Sequence, residues 1–233
     1  LTAKRLVWGK FVNAGQTCIA PDYLIVEKSI KPALIKQLKI EITKAYGEDP
    51  KKSTDYPRIV NTKNLERLST MLKGVDVVHG GEIVAEDNYL APTLVDNPSL
   101  KSKLMEGEIF GPILPIFSYE TMEDIGLMVN RYEKPLGFYV FSNRKKFYNT
   151  LIKKYSFGGG SVNDTMIHFG NPRLPFGGVG ESGIGAYHGR LGFDSFSHKK
   201  GITIKANWLD IPLRYAPYIN KLKKIKSAFK WLG

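Results

Sequence analysis

The sequence predicts an α/β fold, a largely parallel sheet flanked by helices. Two patterns carry that prediction. Short β-favouring runs alternate with longer segments of helical period along most of the chain. The first such run is apolar throughout, as a strand buried on both faces is. With 233 residues, 42% of them hydrophobic, the chain also has enough apolar material for one large domain or two small ones.

Residues 1–14 place Ala3, Leu6, Val7, Phe11 and Ala14 at steps of three or four, the period of an amphipathic helix, and Gly15 is a natural stop. Residues 23–26 read as a buried strand after Pro21. Leu34, Ile35, Leu38, Ile42 and Ala45 form a second helical stripe that ends near Gly47. Asn61 or Thr62 caps a helix that stops at Gly74. Residues 75–78 and 89–95 read as strands, with turn chemistry at 86–88. Strand 113–118, helix 120–130, strand 137–142 and helix 146–155 repeat the same step. From 157 to 192 glycines crowd among aromatic and apolar residues, which predicts an ordered, tightly turning loop region beside a site. A strand with flanking lysines follows at 199–206. Tyr218, Leu222, Ile225, Phe229 and Leu232 then mark a stripe, with lysines 221, 223, 224, 226 and 230 off it. This is a basic amphipathic helix, suited to a membrane surface or to docking on its own protein or a dimer partner.

The net charge is +12. No helix-turn-helix, zinc-finger or RNP-like pattern accompanies it, so no nucleic-acid partner is expected. No apolar run approaches a membrane span. The single cysteine, Cys18, excludes an internal disulfide framework and fits a reducing, cytoplasmic compartment. The histidines and the cysteine show no metal-ligand spacing, so no metal site is expected. The chain opens on Leu1-Thr2-Ala3-Lys4-Arg5, without an initiator Met or signal peptide, and is expected to be a piece of something longer.

Cys18 lies in "NAGQTCIAPD" between a helix and a strand. Small or polar flanks at Gly15, Gln16, Thr17 and Ala20 predict a turn whose N–H groups can meet an oxyanion. On chemistry alone, a buried, inert thiol remains the alternative.

"FVNAGQTC" resembles the catalytic-cysteine motif of the aldehyde dehydrogenase superfamily. "EGEIFGPILPI" (106–116) resembles its second signature, and "GGGSVND" (158–164) and "LPFGGVGESGIGAYHG" (174–189) resemble its C-terminal loops, in the family's order and spacing. The resemblance fades only after about residue 206, and the wording of the motifs is similar to the class 3 branch of fatty and aromatic aldehyde dehydrogenases. It implies the fold of that family's catalytic domain, with a C-terminal β arm. Residues 1–193 would be the catalytic domain, 194–212 an oligomerisation arm and 213–233 the basic helix.

By resemblance, Cys18 is the nucleophile that attacks an aldehyde, and NAD or NADP accepts the hydride. The thioester left behind is hydrolysed to the acid. Glu108 matches the glutamate that binds the nicotinamide ribose, and Phe110 the aromatic beside the nicotinamide. Thr17 adjoins the nucleophile. Asn163 resembles an asparagine that braces the cysteine loop, with a plain turn asparagine as the alternative. Ile167, His168 and Phe169 fall where class 3 enzymes line the aldehyde tunnel, His168 as pocket wall or core and not as a general base. The family's phosphate loop, oxyanion asparagine and deacylating glutamate have no match here, so the upstream NAD-binding domain is absent and the fragment alone is expected to be inactive. The resemblance also implies a homodimer for the whole enzyme. Two rivals stay open: a relative that passes the thioester to coenzyme A, and a non-enzymatic basic module that binds a membrane or a partner on the same scaffold.

Overall fold

A computed structural model describes residues 1–232; the side chains at 228, 231 and 232, and with them Leu232 of the expected stripe, lie outside the described residues. Two compact units are formed, Leu1–Phe196 and Ser197–Gly233. In the first, the helices are α1 (Thr2–Phe11), α2 (Lys31–Tyr46), α3 (Thr62–Met71), α4 (Met122–Val129), α5 (Lys145–Lys154) and α6 (Gly189–Ser195). Its strands are β1 (Leu24–Glu27), β2 (Val77–His79), β3 (Ile83–Val84) and β4 (Tyr89–Leu90), then β5 (Thr93–Asp96), β6 (Ile113–Tyr119), β7 (Gly137–Val140) and β8 (Gly159–Val162).

The main sheet has the order β1-β6-β5-β2. β1 and β5 both run parallel to β6, with Leu24 opposite Ile116 and Leu94 opposite Leu114, and β2 closes one edge antiparallel. The central β6 is buried along Ile113–Phe117, which is why its sequence is apolar without alternation. Against this sheet pack Ala3, Leu6, Val7 and Phe11 of α1, Leu38 and Ile42 of α2, and Leu65 and Leu68 of α3. These are the positions at helical spacing. β7 and β8 form a separate parallel pair, with a smaller core of Ile125, Val140, Leu151 and Tyr155.

Local chemistry sets the boundaries. Asn61 caps α3, its side chain accepting from the Asn64 N–H at 2.9 Å. Thr121 and Asp124 form a capping box, so α4 begins at Met122 and not at 120. The single strand expected over 89–95 is two strands. β4 pairs with β3 while β5 pairs with β6 and β2, and the break falls at Pro92, which has no N–H to continue a ladder. β2 starts at Val77 and not at 75.

Two elements inside the glycine-rich stretch were not foreseen, β8 and α6. β8 reads "GGSV", without the β-branched signature of a strand. Its glycines are there for closeness: a Cβ on Gly160 would overlap the Phe138 carbonyl, and one on Gly159 would crowd the His168 ring.

In the second unit, residues 199–206 form no strand in this single chain, where the sequence predicts one. A strand needs a neighbouring strand for its N–H and C=O groups, and no ladder pairing of residues 200–205 occurs among the described residues. Helix α7 covers Leu222–Leu232, starting after Tyr218 because Asn220 takes a left-handed φ of 64°. Ahead of it, Lys205 pairs with Asp210 at 2.7 Å, and the Tyr215 hydroxyl donates to the same carboxylate at 3.1 Å. No described helix is long and apolar enough to cross a membrane.

Leu114 is fully buried at the centre of the main sheet. Leu114→Ala is expected to cost about 3 kcal/mol. Thermal unfolding followed by circular dichroism should show the midpoint falling by on the order of 10 °C.

Candidate active site

α1 leads directly into the cysteine loop. Asn13, Ala14 and Gly15 take successive left-handed φ values of 55°, 50° and 70°, which reverses the chain within a few residues. The side chain of Gln16 holds the reversal in place. Its amide nitrogen donates to the carbonyls of Asn13 and Arg58, each at 3.1 Å, and its oxygen accepts from the Val60 N–H at 2.9 Å. A turn follows, closed by the Ala20 N–H donating to the Thr17 carbonyl at 2.9 Å. Cys18 is the second residue of this turn and its thiol is exposed. Ile19 beside it is buried, and the Tyr139 hydroxyl of β7 donates to its carbonyl at 2.8 Å. Burial raises the Tyr139 hydroxyl well above the phenol range, so it remains a donor. Among the described residues, no protein acceptor takes the Cys18 N–H.

The turn bearing Glu108 lies against this loop. A Cβ on Gly15 would overlap the Gly111 carbonyl, so the two segments meet backbone to backbone. Ile109 is fully buried and anchors the turn. Phe110 is 40% exposed at a φ of 43°, and Gly111 makes room for Leu68. The carboxylate of Asp22 accepts from the Ile109 N–H at 3.1 Å, and the Arg67 guanidinium donates to the Ile109 carbonyl at 2.7 Å.

Charges cluster under the turn. Lys10 is 1% exposed, and burial lowers its ammonium to about 8, against the opposing pull of Asp22 and Glu108. Burial raises the Asp22 carboxyl, opposed by Lys10, the Ile109 N–H and Arg67. Glu108 reaches solvent, yet its partial burial and the nearby Asp22 charge raise its carboxyl too. Its carboxylate accepts no hydrogen bond among the described residues, which leaves it free for the two hydroxyls of a ribose.

Beyond Tyr139 lies an aromatic cluster. The His168 ring sits 5.8 Å from Tyr139 and 6.2 Å from Phe176, and Phe169, Tyr187 and His188 gather around Phe176. An antiparallel bridge between Phe176 and Tyr187 holds the glycine-rich loop to itself. His168 is 6% exposed, its ring nitrogens have no partner, and burial lowers its imidazole, so it is neutral. Ile167 and Phe169 on either side are exposed. Three residues in a row thus alternate outward, inward, outward.

Asn163 does not brace the cysteine loop. Its side chain accepts from the Ser142 N–H at 2.8 Å and donates to the Ser142 carbonyl at 3.1 Å, and its own carbonyl accepts from Arg5. The reason is position: Asn163 directly follows β8 at a φ of 60°, beside the end of β7, and so it ties that strand end to α1. Thr17 contributes its carbonyl to the cysteine turn. Lys10, Asp22, Arg67 and Tyr139 did not stand out in the sequence. Lys10 had a signal, falling four residues after Leu6 and three after Val7 on the buried stripe of α1; the others had none. No group of three or more His, Cys, Asp or Glu that could hold a metal occurs among the described residues.

Comparison with known proteins matches this arrangement to a family. The profile of the aldehyde dehydrogenase family covers residues 1–202. The chain is 43% identical to the 4,4'-diaponeurosporen-aldehyde dehydrogenase of Staphylococcus aureus, over 99% of this chain and 50% of that protein. It is 46% identical to aldehyde dehydrogenase family 3 comG of Dictyostelium discoideum, over 94% of this chain and 47% of that one. The solved substrate-bound state of Staphylococcus aureus AldH superimposes with a TM-score of 0.91 at 42% identity, covering 98% of this chain and 50% of its own. The chain thus spans about half the length of these relatives, which include class 3 enzymes. It belongs to the aldehyde dehydrogenase family.

Proposed function

We propose that this chain is the catalytic portion of an NAD- or NADP-dependent aldehyde dehydrogenase that oxidises aldehydes to carboxylic acids. The observation that carries the reading is the exposed Cys18 thiol, held on a fixed turn that abuts the turn of Glu108 and Phe110. Cys18, as thiolate, adds to the aldehyde carbon to give a thiohemiacetal, and its own free N–H stabilises the oxyanion where the charge develops. The bound dinucleotide supplies the hydride acceptor. Glu108 would accept from the hydroxyls of its ribose and Phe110 would pack beside its nicotinamide. Loss of hydride leaves a thioester on Cys18, which water hydrolyses to free the acid.

Ile167 and Phe169 present apolar surface on either side of His168, which suits a medium- or long-chain aliphatic or an aromatic aldehyde. His168, neutral and inward, is a wall and a support for Tyr139. The phosphate loop, oxyanion asparagine and deacylating glutamate of the family match nothing in these residues, so the chain by itself should show little or no turnover. Within the whole enzyme, residues 199–206 are expected to pair with a second copy in a homodimer. The protein is expected in the cytoplasm, with α7 at a membrane surface. From 211 to 233 the chain carries five lysines, one arginine and no acidic residue, and the side chains of Leu222 and Phe229 are exposed.

The decisive measurement is NADH production by the chain rebuilt with the upstream half its relatives have, using a medium-chain aldehyde with and without coenzyme A. Turnover without coenzyme A, lowered on the order of 10³-fold or more by Cys18→Ser, is the expected result. A strict need for coenzyme A would assign the protein to the acylating relatives. No turnover from a folded, NAD-binding protein would leave the non-enzymatic module. For the tail, sedimentation with anionic vesicles should weaken about a hundredfold when Lys223, Lys224 and Lys226 are changed to Gln. Equal binding to uncharged vesicles, or none to either kind, would count against the membrane contact.

A further inference from the structure

The turn that carries Glu108 and Phe110 is held in an unfavourable shape. An aromatic residue at a φ of 43° persists only where its surroundings over-determine it. Those surroundings are two charged side chains from different parts of the fold. From α3, the Arg67 guanidinium reaches three consecutive carbonyls: Ile109 at 2.7 Å, Glu108 at 3.4 Å and Phe110 at 3.5 Å. From the other side, Asp22 accepts the Ile109 N–H at 3.1 Å. Both main-chain groups of one fully buried residue are therefore held by opposite charges.

Asp22 follows Cys18 by only four residues, so its bond fixes the turn relative to the nucleophile's own segment. The charge of Lys10, buried on α1, opposes the burial that raises the Asp22 carboxyl. We propose that Arg67 and Asp22 are positioning residues for the cofactor, setting the Glu108–Phe110 turn at a fixed place with respect to Cys18. The proposal rests on the reading of Glu108 and Phe110 as cofactor contacts. It assigns Arg67 a geometric task that a lysine fills poorly. A planar fork reaches several carbonyls at once, and a single ammonium does not.

The test is made in the whole enzyme, this chain joined to the half its relatives carry, with Arg67→Met, Arg67→Lys and Glu108→Gln compared to the parent. KM for NAD, KM for the aldehyde and kcat are measured for each. Arg67→Met is expected to raise KM for NAD about tenfold while KM for the aldehyde stays within about twofold, and Arg67→Lys should fall between it and the parent. Should Arg67→Met fail to fold, Arg67→Lys carries the test alone, and a parental KM for NAD in it overturns the proposal. So does a parental KM for NAD in Arg67→Met, or a parallel rise in both KM values, which is what simple loosening of the fold would give. Glu108→Gln separates the two ideas. If it weakens NAD and Arg67→Met does not, the positioning role falls and the cofactor reading stands. If Arg67→Met weakens NAD and Glu108→Gln does not, the positioning role stands through Phe110 and the reading of Glu108 falls.

Discussion

The site depends on one close approach: the cysteine loop and the glutamate turn touch through Gly15 and the Gly111 carbonyl with no side chain between them. Gly15 also sits at a φ of 70°, a conformation that is costly for any residue with a Cβ. Much of the surrounding structure serves that contact. α1 delivers the chain to it, three left-handed residues turn the chain there, and Gln16 fastens the turn to residues 58–60. On the other side, Leu68 of α3 fills the space that Gly111 leaves. Residues 90 positions apart in the chain, Cys18 and Glu108, thus belong to adjoining segments without needing to touch each other.

The charges beneath the contact follow a different logic. Lys10, Asp22, Glu108 and Arg67 come from α1, the cysteine segment, the turn and α3, and together they are near balance. Removing Lys10 would take from the buried Asp22 the largest positive charge that opposes its burial. Such a set specifies geometry more than it stabilises. An apolar replacement would not hold the two main-chain groups of Ile109.

How much of this was legible depended on the kind of signal. The helical stripes of α1 and α2, the cap at Asn61 and the continuous run of β6 were all visible, because burial imposes a period and caps impose a residue type. Cys18, Glu108 and Phe110 stood out only through their motifs; as isolated residues each had a bland alternative. β8 was hidden because glycines chosen for close approach look like a loop. The break at Pro92 was written in the sequence, yet the flanking apolar residues masked it. Asn163 was misplaced because its partners, Ser142 and Arg5, are joined to it only by the pairing of β7 with β8 and the packing of α1. Arg67 and Tyr139 carried no local mark at all. Their roles are long-range, and periodicity speaks only to neighbours.

The alternation at 167–169 separates two duties that many pockets confuse. His168 turns inward to Tyr139, and through Tyr139 it supports the carbonyl next to Cys18, while Ile167 is exposed and Phe169 is partly exposed with one edge against Phe176. The outward face at 167 is therefore decoupled from the inward support at 168, so change at Ile167 alters the exposed surface while the Cys18 turn keeps its place, at a small cost in stability.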